Sequence, residues 1–220
     1  MGLIGLIGVS HSFAQTAPSA ASNVQVVITW QANNYFPAGF EGKSLPAPYA
    51  QVVASVELLE DNKLADLSQA TVNWFVDDKF QKSGVGLKTF SFYTQQEDSG
   101  YVSVRAVIEL QGGGGARGSL QIPIVAPTLV LSYAAPSNSV AANSSVTLAA
   151  IPFSFNVSSP SDLTFFWTIN GAQSNVSGNT VKLQLGAPTP LDRLLQISVS
   201  AQNNKNPLEI GKTAAAFPIQ

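Results

Sequence analysis

The chain has no cysteine, a single histidine and a single methionine among its 220 residues. Without thiols there are no disulfide cross-links, thiolate metal sites, cysteine nucleophiles or cysteine-held iron–sulfur clusters. The one histidine, His11, lies ten residues from the start of the chain. Processing after Ala14 would leave no histidine, and with it no Ser-His-Asp triad, histidine zinc site or imidazole base. Charge is also scarce. Lys, Arg, Asp and Glu make up 11% of the residues, against ~25% in an ordinary soluble domain. Eleven basic and 13 acidic side chains leave a net charge of −2. That is no basic surplus for a phosphate backbone, so nucleic acid is excluded as the main partner. No apolar run reaches the ~20 residues of a spanning helix, so no internal membrane span is expected. What remains is a chain that is 45% hydrophobic, enough to bury a core rather than stay disordered.

The apolar run Met1–Val9 is followed by Ser12-Phe13-Ala14. An apolar stretch before small residues two apart is the pattern of a signal peptide, although no Lys or Arg precedes the run. Residues 1–14 are therefore expected to act as a signal-like segment, which places the protein outside the cytoplasm, secreted or in the cell envelope. Residues 15–23, small and Pro-containing, read as a linker.

Strand patterning dominates the rest. Val24–Trp30 and Gln51–Leu59 are rich in β-branched residues. Thr71–Val76, Lys88–Tyr93, Tyr101–Leu110 and Arg117–Val125 alternate with period two or close around a glycine turn at Gly112–Gly115. Asp77-Asp78 and Ser83–Gly86 read as turns, and Leu58–Ser68, of marginal length for a helix, as a strand end followed by a loop or single turn. After Ala126-Pro127 the rhythm resumes in Thr128–Tyr133, Ser145–Val157, Thr164–Ile169, Thr180–Leu185, Leu194–Ala201 and Ile210–Pro218.

The two halves match. Trp74-Phe75-Val76-Asp77-Asp78 recurs as Trp167-Thr168-Ile169-Asn170-Gly171, 93 residues on, and Val102-Ser103-Val104 as Ile197-Ser198-Val199, 95 residues on. A near-constant offset implies two tandem copies of one domain, with boundaries expected at 24–126 and 127–220. The first copy holds seven basic and ten acidic residues, the second four and three, so the second relies on Ser, Thr, Asn and Gln for its polar surface.

A lone Trp in a W-x-[VI]-[DN] strand, Trp74 and Trp167, with short strands on either side, resembles the immunoglobulin-like fold. The cysteine-free form is similar to the PKD-like or bacterial Ig-like modules of secreted and cell-surface proteins. The resemblance implies an all-β chain of two tandem sandwiches, with Trp74 and Trp167 packed between the sheets as structural core. Asp98-Ser99-Gly100-Tyr101 resembles the family's turn before the penultimate strand, with Tyr one residue early.

Four features are weighed for chemistry. The segment Asn33–Tyr49 carries four aromatics, Tyr35, Phe36, Phe40 and Tyr49; they either stack on a ligand such as a sugar ring or fold back on the sandwich edge or the second domain. Glu60-Asp61, Asp77-Asp78 and Glu97-Asp98 are turn carboxylates that calcium could gather, without EF-hand or D-x-D-x-D spacing. Gly112–Gly115 leads into a strand rather than a helix, so it reads as a hairpin loop and not a phosphate cradle. Asn143, Asn156 and Asn175 match the glycosylation acceptor pattern. No acid pair or nucleophile–base set stands out, and Asp98-Ser99-Gly100 is a lone occurrence. The chain is expected to be no enzyme, to take no cofactor and to hold no catalytic or metal residues. The function expected first is an exported structural or spacer module of envelope or adhesion type. The other reading is a glycan- or protein-binding module that uses Tyr35 to Tyr49.

Overall fold

The structure, a computed structural model, describes residues 23–96, 100–133, 139–187 and 193–220. The signal-like segment, all but the last linker residue, and Glu97, Asp98 and Ser99 lie outside the described residues. Among the described residues fifteen strands run in chain order: β1 Val24–Ala32, β2 Gln51–Glu60, β3 Lys63–Leu64, β4 Thr71–Val76, β5 Lys79–Val85, β6 Thr89–Tyr93, β7 Tyr101–Glu109, β8 Gly115–Pro123, β9 Thr128–Tyr133, β10 Ser145–Phe153, β11 Leu163–Ile169, β12 Ala172–Gln173, β13 Thr180–Gln184, β14 Leu194–Asn203 and β15 Ile210–Pro218. Among the described residues one 3-10 turn, Pro160–Asp162, precedes β11. No described helix is long and apolar enough to cross a membrane.

The strands form two immunoglobulin-like sandwiches. In the first, β2 pairs with β1, β3 and β6 and faces the sheet β5-β4-β7-β8. In the second, β9-β10-β13 faces β12-β11-β14-β15. All pairings between strands are antiparallel. Strict alternation decides which face turns inward. Val52, Ala54, Val56 and Leu58 of β2 meet Val102, Val104, Ala106 and Ile108 of β7 in one core. Leu148, Ala150, Ile197, Val199 and Ala201 fill the other.

Each core is centred on its tryptophan. Trp74 and Trp167 have no solvent exposure. A buried indole N–H needs an acceptor, and both find one in the chain that crosses toward the next strand: Trp74 Nε1 donates to Leu87 O at 2.9 Å, and Trp167 Nε1 to Gly178 O at 2.8 Å. Trp74 also stacks on Phe90, with ring centroids 5.7 Å apart.

The repeat reaches into the turns. Asp77 and Asn170 both sit at φ 47°, followed by Asp78 at 60° and Gly171 at 81°. Positive φ at both central positions defines the type I′ hairpin, whose twist matches the strands. Asp77 Oδ1 accepts the Ser103 N–H at 2.9 Å, and Asn170 Oδ1 accepts the Gln196 N–H at 2.8 Å, each 26 residues ahead. The second copy carries the residue pair best suited to this turn; the first places an aspartate at the second left-handed position. Asp78→Gly is therefore expected to stabilise the first sandwich by about 0.5 kcal/mol, after the loss of an exposed 3.2 Å ion pair with Arg105. Thermal denaturation of the two proteins side by side measures this, and a lowered midpoint refutes it.

One expectation is corrected. Ser83-Gly84-Val85 is not a turn but the end of edge strand β5; only Gly86, at φ 66°, leaves the extended conformation. Every residue of β5 except Gly84 is exposed, so it has no buried face to produce an alternating pattern. Leu58–Ser68 is a strand end followed by a turn and a loop, as expected: Asp61 and Asn62, at φ 49° and 62°, form another tight hairpin that pairs Leu59 with Leu64. Further along, Asp66 accepts the N–H and O–H of Ser68, which hold its carboxyl below the ordinary aspartate value.

Candidate functional site

The aromatic segment between β1 and β2 folds under the first sandwich and reaches the second. Its far end is closed by Thr94, whose hydroxyl donates to Ala47 O at 2.7 Å and accepts the Ala50 N–H at 2.9 Å. Val125 N–H donates to Pro46 O at 2.9 Å, which ties the loop to the chain leaving β8. The near end forms a clasp. Tyr35 N–H donates to Phe155 O at 2.7 Å, and Ser154 N–H to Tyr35 O at 2.9 Å. This isolated antiparallel bridge joins residues 120 apart in the chain.

Side chains reinforce the clasp from both sides. Asn34 Nδ2 donates to Leu45 O at 2.9 Å and to Ser154 O at 3.1 Å, and Asn156 Nδ2 donates to Pro48 O at 2.7 Å. Phe36 stacks on Phe40 at 4.9 Å, and both meet Phe153 edge-on, at 6.0 and 5.8 Å. Phe155, fully buried, anchors the bridge in the second core. Behind it Glu209, only 7% exposed, accepts the Asn156 N–H at 2.8 Å and the Asn203 Nδ2 at 2.5 Å. A buried carboxylate held by two donors fixes the segment that presents Asn156 to the first domain.

The four aromatics of the segment are thus divided. Tyr35 and Phe36 are half-buried in the clasp; Phe40 packs there and stays 43% exposed; Tyr49 is 45% exposed and lies elsewhere. Tyr49, at φ 64°, is held in a strained left-handed conformation for a bulky side chain. Its hydroxyl meets Gln96 Oε1 at 2.6 Å. With Tyr93, Gln81, Gln96, Lys79 and Asp77 it lines an open groove of about 710 Å³ where the edge of β5 faces the edge of β6. Tyr93 is 62% exposed. The groove combines aromatic faces, side-chain amides and one charge of each sign, a set suited to hydroxyl-rich, flat-faced ligands.

Glu97 and Asp98 of the third acidic turn lie outside the described residues; among the described residues no three His, Cys, Asp or Glu side chains gather around a common point. Asp61 Oδ1 accepts the Asn23 N–H at 3.0 Å, and Asp78 pairs with Arg105, whose guanidinium lies 4.0 Å from the Phe75 ring centre. Of the three glycosylation-pattern asparagines, Asn156 is committed to the clasp, which leaves no room for a glycan while the clasp is closed.

The sequence reading did not single out Phe153, Glu209, Tyr93 or Gln96. Tyr93 carried a usable signal, since alternation through β6 places it on the outer face opposite Phe90 and Phe92. Glu209 carried none, because nothing local marks a carboxylate that will be buried by a loop 53 residues away.

No family model and no curated protein matches the chain. Solved structures with tandem sandwich modules do. The three N-terminal domains of the Highly Immunogenic Outer Capsid protein of bacteriophage RB49 share 12% identity with a TM-score of 0.48, covering 90% of this chain and 59% of that one. The fibronectin(III)-like modules of Clostridium thermocellum CbhA share 14% at a TM-score of 0.30, covering 89% and 93%. The full ectodomain of mouse nectin-like molecule 4 shares 14% at 0.35, covering 90% and 63%. The chain thus spans about three fifths of the phage fragment it matches.

Proposed function

We propose that the protein is a non-catalytic structural module of the cell envelope or cell surface, a PKD-like pair of domains that holds its ends at a set spacing. The carrying observation is the clasp. The covalent connection between β8 and β9 is short, yet the sandwiches are also bonded through Tyr35–Phe155, Asn34–Ser154 and Pro48–Asn156. A passive string of domains needs no such second attachment. The cysteine-free chain makes the test direct. Spin labels on Ser119→Cys and Lys182→Cys, one exposed site in each sandwich, are expected to give one narrow distance distribution. The same labels in a Phe36→Ala, Phe153→Ala background are expected to give a broad one. A broad distribution with the clasp intact overturns the reading. The export half rests on residues 1–14 and is tested by intact mass after fractionation. A chain that begins at Gln15 in envelope or medium supports it; one that retains Met1 in the cytosol overturns it.

The groove at Tyr49 and Tyr93 favours a second reading, a glycan-binding module. Tyr93→Ala and Tyr49→Gly are both expected to abolish binding of neutral oligosaccharides in calorimetry. Both should leave the melting temperature almost unchanged, because the rings are exposed and Gly relieves the left-handed strain at position 49. Unchanged binding in both variants excludes the groove.

A further inference from the structure

We propose that the outer edge of β6 is a docking site for an extended acidic peptide, which adds to the sheet as a further strand and sets its carboxylates against Lys79 and Lys82 of β5. This goes beyond the spacer reading and does not depend on the clasp.

β6 pairs on one side, with β2. Alternate residues of an antiparallel strand turn their N–H and C=O to opposite neighbours. Lys88 O accepts the Val56 N–H at 2.9 Å, and Thr94 N–H donates to Ala50 O at 3.0 Å. Even-numbered residues therefore face β2, and Thr89, Ser91 and Tyr93 face away. All three are exposed. Tyr93 O accepts Gln95 Nε2 at 3.2 Å. The N–H and C=O of Thr89 and Ser91 and the N–H of Tyr93 have no partner among the described residues. These groups form a row with the two-residue repeat of a strand, along the wall of the groove that holds Tyr49. A sugar can meet some of them; an extended backbone meets the row in register.

Other edges are guarded. β5 carries Lys79 and Lys82, and β13 carries Lys182. Charged residues on an edge strand are a usual protection against strand addition. β6, Thr89-Phe90-Ser91-Phe92-Tyr93, has no charge, proline or glycine. Its β-branched and aromatic residues are suited to receive a strand.

The lysines define the occupant. Register places Lys82 beside Trp74 and Lys79 beside Val76. Trp74 is fully buried and Val76 packs against the same core. Both lysines thus stand on the inner side of β5, at its rim, and Lys79 lines the groove. Trp74 stacks on Phe90 of β6, which keeps the two edges level with each other. Neither lysine forms an ion pair among the described residues. The aspartates beside them are spent, Asp77 on the Ser103 N–H and Asp78 on Arg105. A strand added to β6 turns every second side chain inward, beside Phe90 and Phe92, and those side chains are the ones that reach the lysines. Acidic residues at these positions, with β-branched residues between them to pair with Thr89 and Tyr93, complement the site in charge and shape. A second copy of β6 fits worse. It brings phenylalanines to the inner positions and sets the lysines of two β5 edges near one another.

The test is calorimetric titration of the full chain with a capped peptide of alternating valine and glutamate, about seven residues long. This peptide is expected to bind, and its valine–lysine counterpart is not. N-methylation of the main-chain donors on one edge of the peptide is expected to abolish binding. Lys79→Glu with Lys82→Glu is expected to weaken the acidic peptide at least about tenfold and to admit the basic one. Both lysines are exposed, and circular dichroism melting shows that the variant is folded. Amide exchange locates the peptide: the Ser91 and Tyr93 N–H groups are expected to become protected when it is added. No binding of the acidic peptide, equal binding of both peptides, or binding that leaves the Ser91 and Tyr93 amides unprotected overturns the proposal. So does a groove that takes neutral oligosaccharides and ignores the peptide. None of these results moves the label distances or the fractionation on which the spacer reading stands.

Discussion

Trp167→Ala is expected to lower the melting temperature of the second sandwich by about 15–50 °C while the first keeps its own transition. The indole is fully buried at the centre of the sheet β12-β11-β14-β15. Truncation of such a ring costs about 3–5 kcal/mol through lost transfer free energy and the cavity left behind. Gly178 O also loses the donor it meets at 2.8 Å, a further loss of about 1 kcal/mol. In a domain of this size each kcal/mol moves the midpoint by about 4–8 °C. With no disulfide to hold the sheets together, nothing else compensates. Calorimetry resolves the outcome: two separated transitions in the variant, the lower one moved. A single shifted transition would mean that the clasp couples the sandwiches so tightly that they melt as one unit.

Glu209→Ala is expected to do comparable damage by another route. Its carboxylate serves the Asn156 N–H and the Asn203 amide. Removing the acceptor orphans two donors in a site almost without solvent, where each unsatisfied group costs about 1–3 kcal/mol. The segment Ser154–Asn156 then loses its support, and with it the bond from Asn156 to Pro48. Two readouts are expected to move together: the melting temperature of the second sandwich falls, and the label distance across the clasp broadens. Glu209→Gln keeps one acceptor oxygen and the side-chain shape, and is expected to lose far less. Equal losses in the two variants would show that the charge, not the acceptor geometry, does the holding.

The sandwiches were legible because alternation and a Trp-centred repeat are local patterns. Burial on β2 and β7 follows the sequence residue by residue. The offset between Trp74 and Trp167 survives as matched indole bonds and matched turn bonds. What escaped was decided by distant partners. β5 has no buried face, and its strand character comes from pairing with β4. The aromatic segment was open to two readings, ligand contact or packing on the sandwich edge or second domain, and Tyr35, Phe36 and Phe40 meet the second domain. Which rings go to the clasp and which to the groove depends on Thr94, Val125 and Ser154, none of which is adjacent in sequence. Asn156 carried a misleading signal, an acceptor pattern for a glycan on a residue whose amide is spent on the Pro48 carbonyl.

The bridge from Tyr35 to Phe155 spans 120 residues of chain, and this sets an order of assembly. The first sandwich has all its strands by Pro123, so it can fold while the second is still being made. Its half of the clasp, Phe36 and Phe40 included, then waits for Phe153 and Phe155 to be synthesised. At about 5–20 residues per second the wait between making the two sides is some 6–24 s, with an aromatic pair uncovered throughout. The segment that later joins the domains is thus, early in the life of the chain, the surface most in need of a chaperone.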